Sequence, residues 1–169
     1  MTREALEAVA DDGDLLDLLA RELSQRIPPT LRQDTDEFID HLRTLPVGLR
    51  AMAASYDLDV SMTLDDFGYH FANHHHRGLA EETLLALREL GATWEAEIFE
   101  VALFHAVQHW TLLGQGDFSS VYYGSALHEA LKPLDDQFLN LSRAQCGDSS
   151  TILTYWVPYA RRHPDRVCG

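Results

Sequence analysis

The chain is poor in cysteine and poorer in lysine: 169 residues hold two cysteines, Cys146 and Cys168, and one lysine, Lys132. The cysteines form no C-x-x-C pair, so neither a disulfide framework nor a thiolate metal site is expected, and both read as reduced thiols. The opening MTREALEAVADDGD has no basic start followed by an apolar stretch, so no secretory leader is expected there. No apolar run approaches the ~18 residues that a membrane-spanning helix needs. These absences together lead us to expect a cytoplasmic protein. Also missing are a Walker-type loop, a glycine-rich turn after a strand, and any basic stripe, which argues against phosphate and nucleic-acid binding. No G-x-S-x-G is present, and Cys146 in Ala-Gln-Cys-Gly-Asp lacks the fold context of a cysteine nucleophile, so no enzyme is expected. Alternating strands, solenoid repeats and low-complexity tracts are absent as well.

What the chain does have is acid. Asp and Glu number 27 against 13 Lys and Arg, a formal charge of -14 with a pI near 4.8. The excess is uneven: residues 1–66 carry 15 acids and 6 bases, and residues 78–136 carry 10 acids and 2 bases. The tail from 137 is +2, with Arg143, Arg161, Arg162 and Arg166 against Asp148 and Asp165. A field of this sign repels nucleic acid and anionic membranes and attracts basic proteins. The length suits one domain, able to bury roughly 70% of the surface its unfolded chain exposes.

Helical periodicity runs throughout, and the expected fold is a single compact all-α domain spanning residues 1–169. Leu15, Leu16, Leu18, Leu19 and Leu23 form an apolar face that ends at Pro28-Pro29. Further helices are expected over about 31–45 and about 46–56, the latter with Pro46 in its first turn. A connector should cover 58–62, and Thr63 should cap a helix over 64–75. The segment 79–90 is amphipathic and closes at Gly91, a favoured C-cap residue. The longest helix is expected over 93–113; being apolar nearly all round, it is assigned the buried centre of the fold. Helices over about 119–132 and 133–141, the second started by Pro133, a loop over 144–149, and a last helix over about 151–162 bent at Pro158 complete the chain.

Two constellations are candidates for function. His70 and His74, and likewise His105 and His109, lie four residues apart, a spacing at which two imidazoles share a helix face and can hold a metal ion. There is no H-E-x-x-H and no Glu-x-x-His to extend either pair, and polar packing or the dipole at a helix end explains these histidines without a metal. A metal-binding protein or metal-dependent enzyme is therefore the alternative reading, and no cofactor is assigned. The leading candidates are carboxylates: Asp11, Asp12 and Asp14, then Asp34, Asp36, Glu37 and Asp40, with Glu81 and Glu82 as a second patch. None has the spacing of an EF-hand. Duplex DNA shows about one negative charge per 1.7 Å of axis, and rows of carboxylates on a rigid helical body can imitate that.

Several segments then add up. Leu45-Pro46-Val47-Gly48-Leu49-Arg50, Phe67-Gly68-Tyr69-His70-Phe71-Ala72-Asn73, Glu81 through Ala92, Leu134-Asp135-Asp136-Gln137-Phe138, and Tyr159 through Pro164 occur in order over residues 45–165. In this the chain resembles the acidic bacterial DNA-mimic family, most of whose members are described only as a domain of unknown function. The resemblance sets an acidic N-terminal part, residues 1–44, before a family-like core. It departs at Asp65-Asp66, where the family usually has a Gly-Gly turn, and at His74-His75-His76, where small polar residues are more usual. What it implies is an all-α fold, often a homodimer. In one member acidic surfaces imitate the phosphate backbone and hold a transcription factor off its operator. The partner so implied is a basic DNA-binding or regulatory protein, with neither nucleic acid nor membrane bound.

Overall fold

The computed structural model describes residues 1–146 and 152–169, and among them all regular structure is helical. Two helices, α1 (Arg3–Glu7) and α2 (Asp12–Arg26), open the chain. Their first turns are capped by the side chains of Thr2 and Asp11, which accept backbone N–H groups that no helical carbonyl can reach. Next come α3 (Asp36–Leu42), α4 (Val47–Leu64), α5 (Phe67–Asn73) and α6 (Arg77–Leu90). The second half holds α7 (Thr93–Gln108), α8 (Trp110–Leu113), α9 (Phe118–Tyr122), α10 (Ala126–Cys146), α11 (Leu153–Arg162) and α12 (Pro164–Val167).

The centre is α4. It packs against α2, α3, α5, α6, α10, α11 and α12, and Leu49, Met52, Leu58 and Met62 on it are almost fully buried. Small side chains make room for this crowd. Gly48 is one: a Cβ there would lie 2.7 Å from the Tyr159 ring and 2.9 Å from the Arg166 carbonyl, so the α11–α12 corner rests directly on α4 backbone. Ala51, Ala54 and Ser55 do the same where α6 crosses. There the buried Thr83 hydroxyl donates to the Ala54 carbonyl at 2.8 Å, and Ser55 donates back to Ala51 at 2.8 Å, so neither polar group is orphaned.

The all-helical single domain is as the sequence reading expects, with different boundaries and a different centre. The expected connector over 58–62 is helix, because Leu58, Asp59, Ser61 and Met62 are all drawn into the core as part of α4. The helix expected over 31–45 is confined to α3, capped by Thr35. Residues 119–132 do not form one helix: the chain turns at Gly124, whose φ of +78° suits glycine. Pro133 does not start a helix but sits inside α10. The carbonyl it leaves without a partner belongs to Glu129, an exposed residue that water can serve. Of the loop expected over 144–149, residues 144–146 are the end of α10 and the remainder lies outside the described residues, as does Thr151. Gly91 takes the expected left-handed C-cap, with φ +81°.

The segment expected to be the buried centre is two elements. Its helix breaks at His109, and α7 buries only one side, Ala96, Phe99, Ala102 and Ala106, against α6 and α10. Trp94 and Phe104 on the opposite side are 63% and 65% exposed, and Val101 is also exposed. A helix that is apolar all round needs neighbours all round, and α7 has them on one side only.

Candidate interaction surface

The predicted acids fall into three situations. At the start of α2, Asp11 is a cap, accepting the Gly13 and Asp14 amides at 2.8 and 3.0 Å. Asp12 is held by Arg161 of α11, whose Nη2 lies 2.7 Å away, while Asp14 is exposed with no ion pair among the described residues. Asp34 accepts a two-pronged pair from Nε and Nη2 on one edge of the Arg32 guanidinium, at 3.0 and 2.7 Å, and those hydrogen bonds hold its carboxyl below the usual range. On α3, Asp36, Glu37 and Asp40 face water: Asp36 is 96% exposed beside His76, and Asp40 makes only a long contact to Arg43.

The remaining pair separates sharply. Glu81 is exposed. Glu82, one residue on, points the other way and is buried, receiving the Arg43 Nε at 3.0 Å and the Arg50 Nε at 2.8 Å. Its charge is neutralised internally and takes no part in the outer field.

These contacts also say which acids are neighbours. His76 caps α6 by accepting the Leu79 amide, and its other nitrogen meets Asp36; Arg43 reaches across to Glu82. Helices α3 and α6 therefore lie side by side, with Asp36, Glu37 and Asp40 exposed on the one and Glu81 exposed on the other. The α2 group is elsewhere. A helix of this length rises about 22 Å, and it is the far end of α2, at Arg26, that meets His41 of α3.

Other acids are structural, which the sequence did not signal. Asp59 accepts the Ile152 amide at 2.7 Å, Glu95 accepts the Tyr155 hydroxyl, and Glu89 takes the Tyr159 hydroxyl and Arg166. Asp135 reaches from α10 to cap α5, accepting the Phe67 amide at 2.9 Å. Burial, reinforced by the nearby Asp66 and Asp136 charges and opposed by that amide, pushes the Asp135 carboxyl up to about 7. A carboxyl raised in the folded state is protonated there while still ionised in the unfolded chain. Stability contributed by this group is therefore full below about pH 4 and is lost as pH rises towards 7. Asp135→Asn keeps the acceptor and removes the charge. It is expected to leave the melting temperature unchanged at pH 4 and to raise it at pH 8, by roughly 2–4 °C for each kcal/mol recovered. Thermal melts at both pH values check this, and an equal effect at each would sink it.

The histidines do not converge. Burial drives His70 down to about 3, so it is neutral throughout the physiological range; its Nδ1 lies 3.1 Å from the Ser61 hydroxyl and its ring 5.2 Å from that of His74. His75 stacks on Trp110 at 4.7 Å, His105 packs edge-on to Phe104, and His109 occupies the break between α7 and α8. Among the described residues no group of three or more His, Cys, Asp or Glu side chains is placed to hold a metal ion.

No family model, curated protein or solved structure matches the chain. Nor is any helix among the described residues long and apolar enough to cross a membrane. The functional reading therefore rests on this chain's own surface.

Proposed function

We propose that this is a non-enzymatic acidic interaction protein that occupies the basic surface of a DNA-binding or regulatory protein, in the manner of a DNA mimic. The observation that carries the reading is the α3–α6 surface: Asp36, Glu37, Asp40 and Glu81 stand exposed on adjacent helices of a protein with net charge -14. The sequence resemblance of residues 45–165 to the acidic DNA-mimic family points the same way, with no family-model match behind it. The α2 group is secondary in it, because Asp11 and Asp12 are engaged in capping and in the Arg161 pair. The family likeness also implies pairing of two copies, for which Trp94, Val101 and Phe104 on the exposed side of α7, interspersed with Glu97 and Glu100, are the available apolar side chains. The partner in this proposal is a transcription factor or another protein with a basic nucleic-acid site.

Affinity capture from native lysate, eluted along a salt gradient, tests the proposal. A basic DNA-binding protein should be retained, released by moderate salt because exposed charges are screened within about 8–10 Å, and displaced by duplex DNA. The variant Asp36→Lys, Glu37→Lys, Asp40→Lys, Glu81→Lys should lose that partner, with affinity down about 100-fold or more at physiological salt. Normal binding by this variant would rule out the surface. Recovery of no salt-sensitive partner would leave the acidity as a solubility device.

A further inference from the structure

The contact between α3 and α6 turns on one titratable ring. Helix α6 starts after His76, whose Nδ1 accepts the Leu79 amide at 3.2 Å. The residues favoured at such a position are Ser, Thr, Asp and Asn, which cap through an oxygen. The cap of α3 is of that kind, the Thr35 hydroxyl receiving the Phe38 amide at 3.3 Å. An imidazole nitrogen is different, because it accepts only while it carries no proton.

Two contacts fix the state of this ring. With Nδ1 accepting, the proton of the neutral imidazole is on Nε2, and that nitrogen lies 3.3 Å from the Asp36 carboxylate of α3. Gly78 makes room for the pose, since a Cβ there would come within 3.0 Å of the ring's Cε1 and 3.2 Å of its Nδ1. A second proton turns Nδ1 into a donor facing the Leu79 amide, which is also a donor. Flipping the ring gives no relief, because an imidazolium carries N–H on both nitrogens. Leu79 is 2% exposed, so little water can reach the amide in place of the ring.

The charges around His76 set where a protonated ring goes. From α3 and the segment before it come Asp36 and Asp34, the latter already held by Arg32. The cations are turned elsewhere: Arg77 lies over the Trp110 ring at 5.6 Å, and Arg43 is engaged with Glu82. Of the two preceding histidines, His75 stacks on Trp110, while His74 neighbours His70 and Asp57 of α4. An imidazolium at 76 is therefore drawn out of the cap and towards Asp36.

We propose that His76 is a proton-operated latch: neutral, it caps α6 and bridges to α3; protonated, it gives up the cap and pairs with Asp36. Acid thus loosens the first turn of α6. Resting on the reading of α3 and α6 as the partner surface, the same protonation offsets one of that surface's charges, so acid weakens the partner's hold.

Nuclear magnetic resonance of the full chain tests the latch with no partner present. At about pH 8 the His76 ring should be the Nε2–H tautomer and the Leu79 amide should be protected from hydrogen exchange. Going down to about pH 5 spans the range in which histidines change charge. Across it, Leu79 protection, corrected for the intrinsic exchange rate, should fall roughly fivefold, as loss of one cap implies. The Phe38 amide, capped by a hydroxyl, should not respond. His76→Ser supplies a cap that does not titrate and should keep Leu79 protected at both pH values, whereas His76→Ala should lower its protection at both. Asp36→Asn should move the midpoint of the wild-type response to lower pH, because the imidazolium loses its carboxylate. The latch is overturned if Leu79 responds to pH equally in the wild type and His76→Ser, or if Phe38 falls in step with it. It is also overturned if the neutral ring carries its proton on Nδ1. A basic partner captured equally well at both pH values would overturn the consequence for binding and leave the partner surface itself in place.

Discussion

Glu82→Ala is expected to lower stability by about 2–3 kcal/mol, whereas Glu81→Ala next to it should stay within about 0.5 kcal/mol of the parent. The Glu82 carboxylate is 4% exposed and holds two guanidinium groups, those of Arg43 on α3 and Arg50 on α4. Removing one partner of a buried ion pair ordinarily costs about 3–5 kcal/mol, because the other charge is left uncompensated. Here the figure is reduced because Arg43 and Arg50 are 52% and 29% exposed, so the freed cations can turn to water. For a domain of this size the loss corresponds to roughly 4–12 °C in melting temperature. Thermal denaturation of the two single variants measures the contrast directly. Equal losses, or none at Glu82, would show that the carboxylate is not the link between α3, α4 and α6 described above.

Gly68→Ala should be at least as damaging, by about 3 kcal/mol. A Cβ on Gly68 would overlap the Tyr122 side chain, with Cε2 only 2.6 Å away and Cζ and the hydroxyl oxygen nearer. Tyr122 has nowhere to retreat. It is fully buried, stacked on Phe118 at 4.7 Å and met edge-on by His128 at 5.1 Å. Gly91→Ala provides the comparison. Nothing lies within 4 Å of a Cβ there, but φ is +81°, so the expected loss is about 1 kcal/mol of backbone strain. Chemical denaturation of both variants separates a packing requirement from a conformational one. If Gly68→Ala were the milder of the two, the close approach of α5 to α9 would be wrong.

These residues show how far the sequence could be read. Gly91 announced its role because a glycine after an amphipathic run is a local signal, and the left-handed C-cap it predicts depends on few distant contacts. Gly68 gave no such signal, since its reason is a tyrosine more than fifty positions later in the chain. Asp135 looked like a first-turn residue following Pro133. In the fold it caps a helix 68 residues away, while α10 continues through the proline. The acids divide in the same way. Asp36, Glu37, Asp40 and Glu81 are on the surface as composition suggests, yet the identical residue type at 82 is interior because the buried face of α6 passes through that position.

By itself, then, the sequence determined the helical class, several helix ends and the sign and size of the protein's field. Each depends on composition or on the conformational preference of neighbouring residues, so none needs the rest of the chain. Only the tertiary structure decided that α4 rather than α7 is the centre, and which carboxylates are exposed and which are buried or held by other side chains. Those outcomes rest on contacts such as Arg161 with Asp12, 149 residues apart, and Asp59 with Ile152, 93 apart. Periodicity says that a helix has an apolar face, but whether that face is covered depends on packing against elements far away in the chain.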